Sequence, residues 1–323
     1  MSCTEEKAAP AEKYFGSVRF YKNMILVAVI VMILVPVFGC VVLQRKASRQ
    51  SAQLAALQAR AESAEEQAQT VQDRADALEA ALSSWPVISP EPLDYQLLYP
   101  DFYADSPIPA QSADPGEIYL TFDDGPSTRT PEVLRILEEK DVKATFFVVG
   151  KEDTASLEYY RQIVAAGHTL GMHSYSHNYK TIYNSVEDFL ADFYRLFTLL
   201  RDTTGVAPTV FRFPGGSINS YNQALYQEII AEMLRRGFVY YDWSLSAEDA
   251  ASVSPKAESI TAHILDGAKK HDRAVVLMHD SYLRSSTVQA LPAIIDGLRE
   301  QGFSFKALDR SVQPISFAYR QGS

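Results

Sequence analysis

The hydrophobic pattern begins with one long apolar run near the start of the chain. Residues 24–43 read MILVAVIVMILVPVFGCVVL and contain no charged side chain. At about 1.5 Å per residue, a helix of this length spans about 30 Å, the thickness of a bilayer's hydrocarbon core. A buried core helix usually carries a polar stripe, and this run has none. We therefore expect a transmembrane helix over 24–43, after a polar segment over 1–23.

The charges around this run do not orient it in a membrane. Four basic residues lie in 1–23 and four in 45–60, which leaves the positive-inside rule nothing to act on. The stretch 37–40 loosely resembles a lipoprotein cleavage box, although Phe38 is too bulky for that pattern; otherwise Cys40 is an ordinary apolar membrane residue. The polar lead-in and the length of the run favour a retained anchor over a cleaved signal peptide.

The stretch 44–83 has a heptad-like pattern. It is rich in Ala, Gln and Glu, and from residue 47 onward it lacks Gly and Pro. Apolar positions alternate spacings of three and four, at Leu54, Leu57, Ala61, Ala64, Ala68, Val71, Ala75, Leu78 and Leu82. Because four of these nine are Ala, a coiled coil would bury little area and would be weak. We expect a helical stalk, either a lone helix or a weak coiled coil that makes a homo-oligomer.

Prolines interrupt the pattern over 84–116, where there are seven in 33 residues. This density excludes a regular helix or a central strand, and it predicts a linker that tends to be extended. Its aromatic residues indicate that part of the linker packs on the following domain. They are Tyr95, Tyr99, Phe102 and Tyr103.

Over 117–308, short apolar runs alternate with amphipathic stretches. We predict strands over 118–122, 144–149, 169–173, 210–213, 238–243, 274–279 and 303–306. The predicted helices lie between them, over 131–139, 157–166, 186–202, 221–235, 255–271 and 286–300. This alternation predicts a parallel α/β sheet, either closed into a barrel or open, with catalytic residues at the carboxyl ends of its strands. Residues 309–323 follow as a C-terminal tail.

Composition and charge exclude some classes of partner and of metal site. Of the 323 residues, 47% are hydrophobic, as in an ordinary globular protein. The net charge of −10 argues against nucleic acid as a partner, because phosphate binding draws on a basic surplus. The cysteines are only Cys3 and Cys40, which excludes a disulfide framework and a zinc site built from cysteines.

Acidic and histidine residues follow two of the predicted strands. Asp123 and Asp124 end the first strand, where adjacent carboxylates are costly unless they are paired or bind a cation, although Asp-Gly-Pro is also common turn chemistry. His173 and His177 follow the third strand, and their spacing is one that two metal ligands use if the segment is helical. Asp124 would supply the third ligand of a catalytic zinc site and leave a fourth position for water.

Two other strands end in groups suited to catalysis. His279 ends the 274–279 strand and is a candidate acid or base. Arg212 offers a cation, and the backbone N–H groups near Gly215 suit an oxyanion. Ser217 has no obvious base partner, which argues against a serine hydrolase. We interpret the remaining histidines as structural or surface residues, and these are His168, His263 and His271.

Four motifs, TFDDGP, HSYSH, RFPGGS and LMHD, occur in an order and spacing that resemble the polysaccharide deacetylases of carbohydrate esterase family 4, the NodB-homology domain. The resemblance covers 117–308. It implies a distorted (β/α) barrel of about seven strands, preceded here by the transmembrane helix and the helical stalk. It also implies that Asp124, His173 and His177 ligate a divalent metal, usually Zn²⁺.

The resemblance implies catalytic roles as well. Asp123 would be the general base that activates water, and Arg212 would orient it by a charge-assisted hydrogen bond. His279 would be the general acid that protonates the leaving amine. Asp249 would hydrogen-bond to His279, which raises the pKa of the imidazole and favours the protonated acid.

The substrate pocket matches the family less well. By resemblance, Leu277 would line the pocket for the acetyl methyl group, and a backbone N–H near Gly215 would hold the oxyanion. The family usually has Tyr where Gly215 stands and Trp where Ala250 stands, so both side-chain walls differ. Trp243 either supplies part of an apolar wall or belongs to the core.

These observations predict a single-pass protein of the cell membrane with an extracytoplasmic catalytic domain. It would remove N-acetyl groups from N-acetylglucosamine-type sugars, with peptidoglycan as the leading polysaccharide substrate. Alternatives in the same class are deacetylases of chitin, xylan or spore-wall muramic acid. The other class is a non-catalytic, membrane-anchored wall-binding scaffold. Asp123 and His279 argue against a scaffold, because a binding module needs neither a base nor an acid.

Overall fold

The structure is a computed structural model that describes residues 18–84, 91–104, 107–250 and 255–318. The chain divides into two compact units, Met1–Pro90 and Glu91–Ser323. Parts of the predicted N-terminal segment, linker and tail lie outside the described residues, namely 1–17, 85–90, 105–106 and 319–323.

In the first unit, the described residues form one helix, α1 (Val18–Ser84), which is 67 residues long. It runs through the predicted 24–43 run and through the 44–83 stretch. The window Val18–Pro36 has the length and composition of a membrane span, and none of it is buried. Leu54, Leu57 and Val71 of the heptad pattern are exposed on this helix. Pairing of the helix into a coiled coil stays a prediction.

The second unit is built on a parallel sheet of eight strands. In chain order these are β1 (Glu117–Asp123), β2 (Thr145–Val149), β3 (Thr169–Ser174), β4 (Val210–Phe211), β5 (Val239–Tyr240), β6 (Leu245–Ser246), β7 (Ala274–His279) and β8 (Ser304–Phe305). The helices are α2 (Thr130–Glu139), α3 (Thr154–Ala165), α4 (Tyr179–Ile182), α5 (Val186–Thr204), α6 (Tyr226–Arg235), α7 (Ala257–Ala268) and α8 (Ser285–Glu300).

The strands follow the order β5-β4-β3-β2-β1-β7-β6, and β8 pairs with β1 outside this path. Among the described residues, no pairing joins β5 to β6, so the sheet is a curled half-barrel and not a closed one. This confirms the predicted α/β fold of about seven strands. The prediction missed β6 because a two-residue strand carries no periodicity that a sequence can show.

Strand β1 lies at the centre of the sheet, and all seven of its residues are buried. Strand β7 pairs along β1 from Ile118 opposite Ala274 to Asp123 opposite His279. On the other side of β1, β8 pairs with its first two residues and β2 with its last three. The carboxyl ends of β1 and β7 are therefore in register, which brings Asp123 beside His279.

The helices bury amphipathic faces against the sheet, and α5 shows why they form. Its N-cap is Ser185, whose side chain accepts a hydrogen bond from the N–H of Asp188, and its C-cap is Gly205, whose φ is 75°. Its buried face includes Phe193, whose ring meets the ring of Phe211 edge-on at 5.7 Å. This contact packs α5 on β4, the strand that leads directly into Arg212.

From residue 91 onward the linker is part of the second unit and packs on its core, as its aromatic residues predicted. It contains one 3₁₀ turn, Asp94–Leu97. The buried Arg236 guanidinium donates to four linker carbonyls, and the side chain also pairs with Glu232. These carbonyls belong to Tyr95, Leu98, Tyr99 and Phe102.

The start of the tail also packs on this unit. The Tyr241 hydroxyl lies within hydrogen-bond distance of two tail carbonyls, those of Asp309 (2.6 Å) and Val312 (2.7 Å), and can donate to either one. The backbone N–H of Phe317 donates to the Asp242 carboxylate at 2.8 Å. The residues up to 318 are therefore attached to the loop that follows β5.

Candidate metal centre and active site

The first part of the site is the turn after β1, which carries Asp123 and Asp124. Asp123 is buried, and Asp124 has a left-handed backbone with φ of 69°. Asp280, directly after β7, fixes this turn: its N–H donates to the Asp123 carbonyl at 2.8 Å, and its carboxylate accepts from the hydroxyls of Ser127 and Thr130. Burial raises the pKa of Asp280, and the two hydroxyls oppose that shift.

The three predicted metal ligands come together beside this turn. One ligand atom from each of Asp124, His173 and His177 lies within 4.8 Å of the other two. The Asp124 Oδ1 is 3.3 Å from the Nε2 of His177 and 3.7 Å from the Nε2 of His173. Two ligands that each lie about 2.0–2.1 Å from a tetrahedral ion are about 3.4 Å apart. The donor set and its spacing therefore fit a divalent ion such as zinc.

The surroundings of His173 leave its Nε2 atom available for a metal. The Nδ1 of His173 lies 2.9 Å from the Arg212 carbonyl, an acceptor that requires the proton on Nδ1. Burial lowers the pKa of His173, which favours the neutral imidazole that metals bind. The segment is not helical, contrary to the arrangement considered for these residues: His173 lies on β3, and His177 follows it with φ of 50°.

Arg212 lies next to the metal ligands and is fully buried. Its Nη1 donates to the Asp123 Oδ1 at 2.8 Å and to the Thr121 hydroxyl at 2.7 Å. Its Nε and Nη2 donate to the carbonyls of Tyr241 and Asp242. Burial lowers the pKa of Arg212, and the charge of Asp123 opposes this. Every partner is an acceptor, which is the arrangement that a protonated guanidinium requires.

His279 and Asp249 form a second pair at the end of β7. The Nδ1 of His279 is 2.7 Å from the Asp249 Oδ1, and the His279 N–H donates to Oδ2 at 2.9 Å. The Thr287 hydroxyl donates to the same Oδ2 at 2.8 Å. Burial disfavours the imidazolium, but the hydrogen bond and charge of Asp249 outweigh it, so the pKa of His279 is raised. The contact that the sequence predicted between these residues is present.

The RFPGGS loop follows β4 and carries the predicted backbone N–H donor near Gly215. Gly215 and Gly216 both have positive φ, 77° and 85°. The N–H of Gly216 donates to the Phe213 carbonyl at 2.8 Å. In the described part of the chain, the Gly215 N–H makes no hydrogen bond. The N–H and hydroxyl of Ser217 both donate to Asp242, so this serine is held as a buried structural residue.

The predicted pocket residues lie around these groups. Leu277 precedes His279 by two positions on β7, so the two side chains leave the same face of the strand. Trp243 is half-buried, packs against part of the core, and meets the Phe317 ring edge-on at 4.8 Å. Ala250 is exposed. Trp243 therefore packs at the edge of the core, and its role as a pocket wall stays a prediction.

Three residues near the site carried no prediction. Asp280 and Asp242 are buried acceptors that fix the turns after β1 and β4. Tyr179 packs edge-on against the His177 ring at 5.4 Å. Burial raises the pKa of Tyr179, and the charges of Asp124 and Asp123 add to this. The acidic residue of LMHD was a signal for Asp280, whereas Tyr179 is recognisable only from its contacts.

The other histidines lie outside this constellation. His168 is buried, and its Nδ1 accepts a hydrogen bond from the N–H of Ala144 at 3.2 Å. Burial lowers the pKa of His168 to about 4. His263 is 3.8 Å from the exposed Glu248. None of these contacts involves a residue of the metal triad.

Comparison with known proteins identifies the family. A model described as polysaccharide deacetylase matches residues 110–234, which contain the first three motifs. A peptidoglycan-N-acetylglucosamine deacetylase of Bacillus cereus is 34% identical over 204 residues, which cover 62% of this chain and 72% of that protein. The chain belongs to the polysaccharide deacetylase family.

Solved structures agree with this assignment. The catalytic domain of peptidoglycan N-acetylglucosamine deacetylase from Eubacterium rectale is similar with a TM-score of 0.62 and 31% identity, covering 66% of this chain and 98% of that domain. A family pseudoenzyme from Bacillus anthracis is similar with a TM-score of 0.52 and 24% identity, covering 63% and 68%. The second likeness concerns the fold alone, so evidence for catalysis must come from the residues of the site.

Proposed function

We propose that this polysaccharide deacetylase is a metal-dependent enzyme that hydrolyses the N-acetyl group of N-acetylglucosamine residues in peptidoglycan. One observation carries the proposal: the ligand atoms of Asp124, His173 and His177 lie within 4.8 Å of one another, beside the buried Asp123 carboxylate. A third histidine, His279, lies opposite Asp123 on the neighbouring strand. A wall-binding scaffold has no use for such an arrangement. The names of the similar enzymes support peptidoglycan as the substrate.

Asp124, His173 and His177 would hold the divalent ion, with Zn²⁺ the best match to one carboxylate and two imidazoles. When bound, such an ion lowers the pKa of water and polarises an amide carbonyl. The hydrogen bond from His173 to the Arg212 carbonyl supports this assignment, because metal-binding histidines usually donate their other N–H to a carbonyl or carboxylate.

Asp123 would act as the general base that accepts a proton from the attacking water. Its Oδ1 is bound by Arg212, and its Oδ2 lies 3.8 Å from the Nε2 of His173, on the side of the metal ligands. Arg212 would therefore orient the carboxylate so that one oxygen points towards the reacting water. This role depends on the fixed directions of the guanidinium N–H donors and not only on the charge of the group.

His279 would protonate the amine as it leaves, and Asp249 would keep the imidazole protonated and oriented. Because Asp249 takes the Nδ1 side of the ring, Nε2 is the atom that can donate to the leaving group. The Gly215 N–H would donate to the oxyanion that develops on the acetyl oxygen. Leu277 would contact the acetyl methyl group, and the accessible part of Trp243 would contact the sugar.

The N-terminal helix would anchor the enzyme in the cell membrane through residues 24–43, with the catalytic unit outside the cytoplasm and residues 1–23 inside. The unburied apolar window of α1 and the cell-wall substrates named for the similar enzymes support this location. The 44–83 stretch would be a stalk, with a homo-oligomer as the consequence if it forms a coiled coil.

The test uses the whole chain, purified in detergent and loaded with Zn²⁺. Acetate release is measured from peptidoglycan, chitooligosaccharide and acetylxylan. We expect release from peptidoglycan, its loss on metal chelation, and its loss in Asp123→Asn. The matched control is Glu139→Gln, an exposed carboxylate on α2, which should keep the activity. If the zinc-loaded chain releases no acetate from any of the three polymers, the enzyme proposal is wrong and a scaffold is favoured.

A further inference from the structure

Three tyrosines form a cluster directly beside the metal triad. The Tyr179 ring lies 5.4 Å from the His177 ring, 5.2 Å from the Tyr221 ring and 6.0 Å from the Tyr183 ring, measured between centroids. Tyr183 is buried, and its hydroxyl donates to the Pro214 carbonyl at 2.8 Å. The Tyr183 hydroxyl therefore already has a protein partner, and Tyr179 is the ring that contacts both Tyr183 and Tyr221.

Tyr179 also lies against the loop that carries the proposed oxyanion donor. A Cβ atom at Gly215 would be 2.8 Å from the Tyr179 Cε1 and 3.2 Å from its hydroxyl oxygen. The ring therefore occupies the space that any side chain at residue 215 would need. Tyr179 touches a metal ligand on one side and the Gly215 backbone on the other, so it borders the place where the acetyl group would react.

The accessible surface of the cluster suits a sugar. Tyr179 is half-buried, and 52% of Tyr221 is exposed. A pyranose ring has an apolar C–H face and a rim of hydroxyls, and a tyrosine offers an apolar face with a polar tip. Ligand sites commonly combine such aromatic walls with a few directed polar groups. We name Tyr179 and Tyr221 the aromatic ledge.

We propose that the aromatic ledge binds a sugar ring of the glycan on the His177 side of the site, with Tyr179 as the main contact. This inference rests on the proposed function and adds a specificity-determining surface to it. The ledge lies on the β3–β4 side of β1, whereas His279 lies on the β7 side. A glycan that reaches both would cross the metal triad between them.

The competing explanation is that Tyr179 only holds His177 in position. The two roles predict different losses, because a positioning residue affects every substrate and also the metal. The test therefore compares two acetylated substrates on the whole zinc-loaded chain. They are the tetramer of N-acetylglucosamine and 4-nitrophenyl acetate, which has no sugar ring. Bound zinc per chain is measured for each variant.

For Tyr179→Ala, we expect the ratio of kcat/KM for the tetramer to that for the ester to fall about tenfold, mainly through KM. Bound zinc should stay at the wild-type level. Tyr179→Phe should keep most of the ratio, because the aromatic face remains, and Tyr221→Ala should cause a smaller fall than Tyr179→Ala. The control is Tyr159→Ala, a half-buried tyrosine on α3, which should leave the ratio at its wild-type value.

The inference is overturned if Tyr179→Ala lowers both substrates equally together with bound zinc, which is the signature of a positioning residue. It is also overturned if the ratio does not change. If the wild-type chain releases no acetate from the tetramer, calorimetric binding of the tetramer decides about the ledge, and the proposed function is judged separately by acetate release from peptidoglycan. Weaker binding in Tyr179→Ala would then support the ledge, and equal or undetectable binding would overturn it.

Discussion

The two sides of the site each pair a buried carboxylate with a cationic side chain, and the pairs differ in whether the cation can lose its proton. On the β4 side, Arg212 donates to Asp123, and both side chains are at most 4% exposed. On the β7 side, His279 pairs with Asp249 at 2.7 Å, and 15% of its side chain is exposed. An arginine remains protonated over the physiological range, whereas a histidine titrates within it.

Because of this difference, we expect the two pairs to have different roles. The Asp123–Arg212 pair holds a fixed charge in place, so we expect it to contribute to both stability and activity. The His279–Asp249 pair holds a proton that must leave during catalysis, so we expect it to govern the pH dependence of activity. Substitutions that separate stability from catalysis can test this division.

The largest effect is expected for Arg212→Met, which leaves the Asp123 carboxylate buried without its partner. Removing one member of a buried ion pair typically costs about 3–5 kcal/mol, and acetate release should be lost as well. Urea unfolding followed by tryptophan fluorescence measures the free energy. As a control, adding Asp123→Asn removes the unpaired charge and should recover part of the stability but none of the activity. A double variant that is less stable than the single one would contradict this explanation.

For His279→Gln, we expect a rate effect without a comparable loss of stability. The turnover number should fall about 10²–10⁴-fold, the usual contribution of a positioned acid. Asp249 would keep hydrogen bonds from the residue 279 N–H and from Thr287, so unfolding should change less than in Arg212→Met. Initial rates and urea unfolding of the same preparation provide both numbers. A stability loss as large as that of Arg212→Met would remove the distinction between the two pairs.

Asp249→Asn tests whether the charge of Asp249 keeps His279 protonated. The raised pKa of His279 keeps the acid protonated, and activity is lost as pH rises through that pKa. Asparagine removes the charge that raises it, so the alkaline limb of the kcat profile should move to lower pH. Thr287→Val is the matched control, because it removes a neighbour of Asp249 but leaves its charge, and the limb should move less. An unmoved limb in Asp249→Asn would assign the alkaline limb to another group.

The smallest effect is expected for an exposed ion pair whose charged atoms are about as close as those of the two buried pairs. Arg135 and Glu139 on α2 are 2.5 Å apart, with 56% and 59% of their side chains exposed. Surface pairs at this spacing contribute about 0.3–0.5 kcal/mol. Glu139→Gln should therefore change the unfolding free energy by less than about 0.5 kcal/mol. A change as large as that from Arg212→Met would show that distance, and not burial, determines the value of these pairs.

Much of the fold could be predicted, because long buried strands carry a clear pattern. The 274–279 strand has the predicted bounds, since five apolar residues precede His279 and both faces of β7 are covered. The 238–243 strand is shorter than predicted, at Val239–Tyr240. Tyr241, directly after it, is buried against the tail, and a period-two pattern does not distinguish such burial from strand pairing.

The site could be predicted where a motif carries the chemistry, and it could not where distant segments meet. The ligand atoms of Asp124, His173 and His177 do converge, and Asp249 does contact His279. The contact of Asp280 with Thr130 joins positions 150 residues apart, and no local sequence pattern predicts it. The same holds for Tyr179, whose place against Gly215 depends on how α4 packs on the loop after β4.

The hydrogen bond from the Phe317 N–H to Asp242 has a practical consequence for cloning. An expressed fragment that stops at residue 308 would lose this donor and uncover the Trp243 ring, although every motif would remain. Asp242 also receives both donors of Ser217, so the loss would reach the RFPGGS loop. The gene should therefore be cut beyond codon 317, and a purification tag at that end needs a spacer.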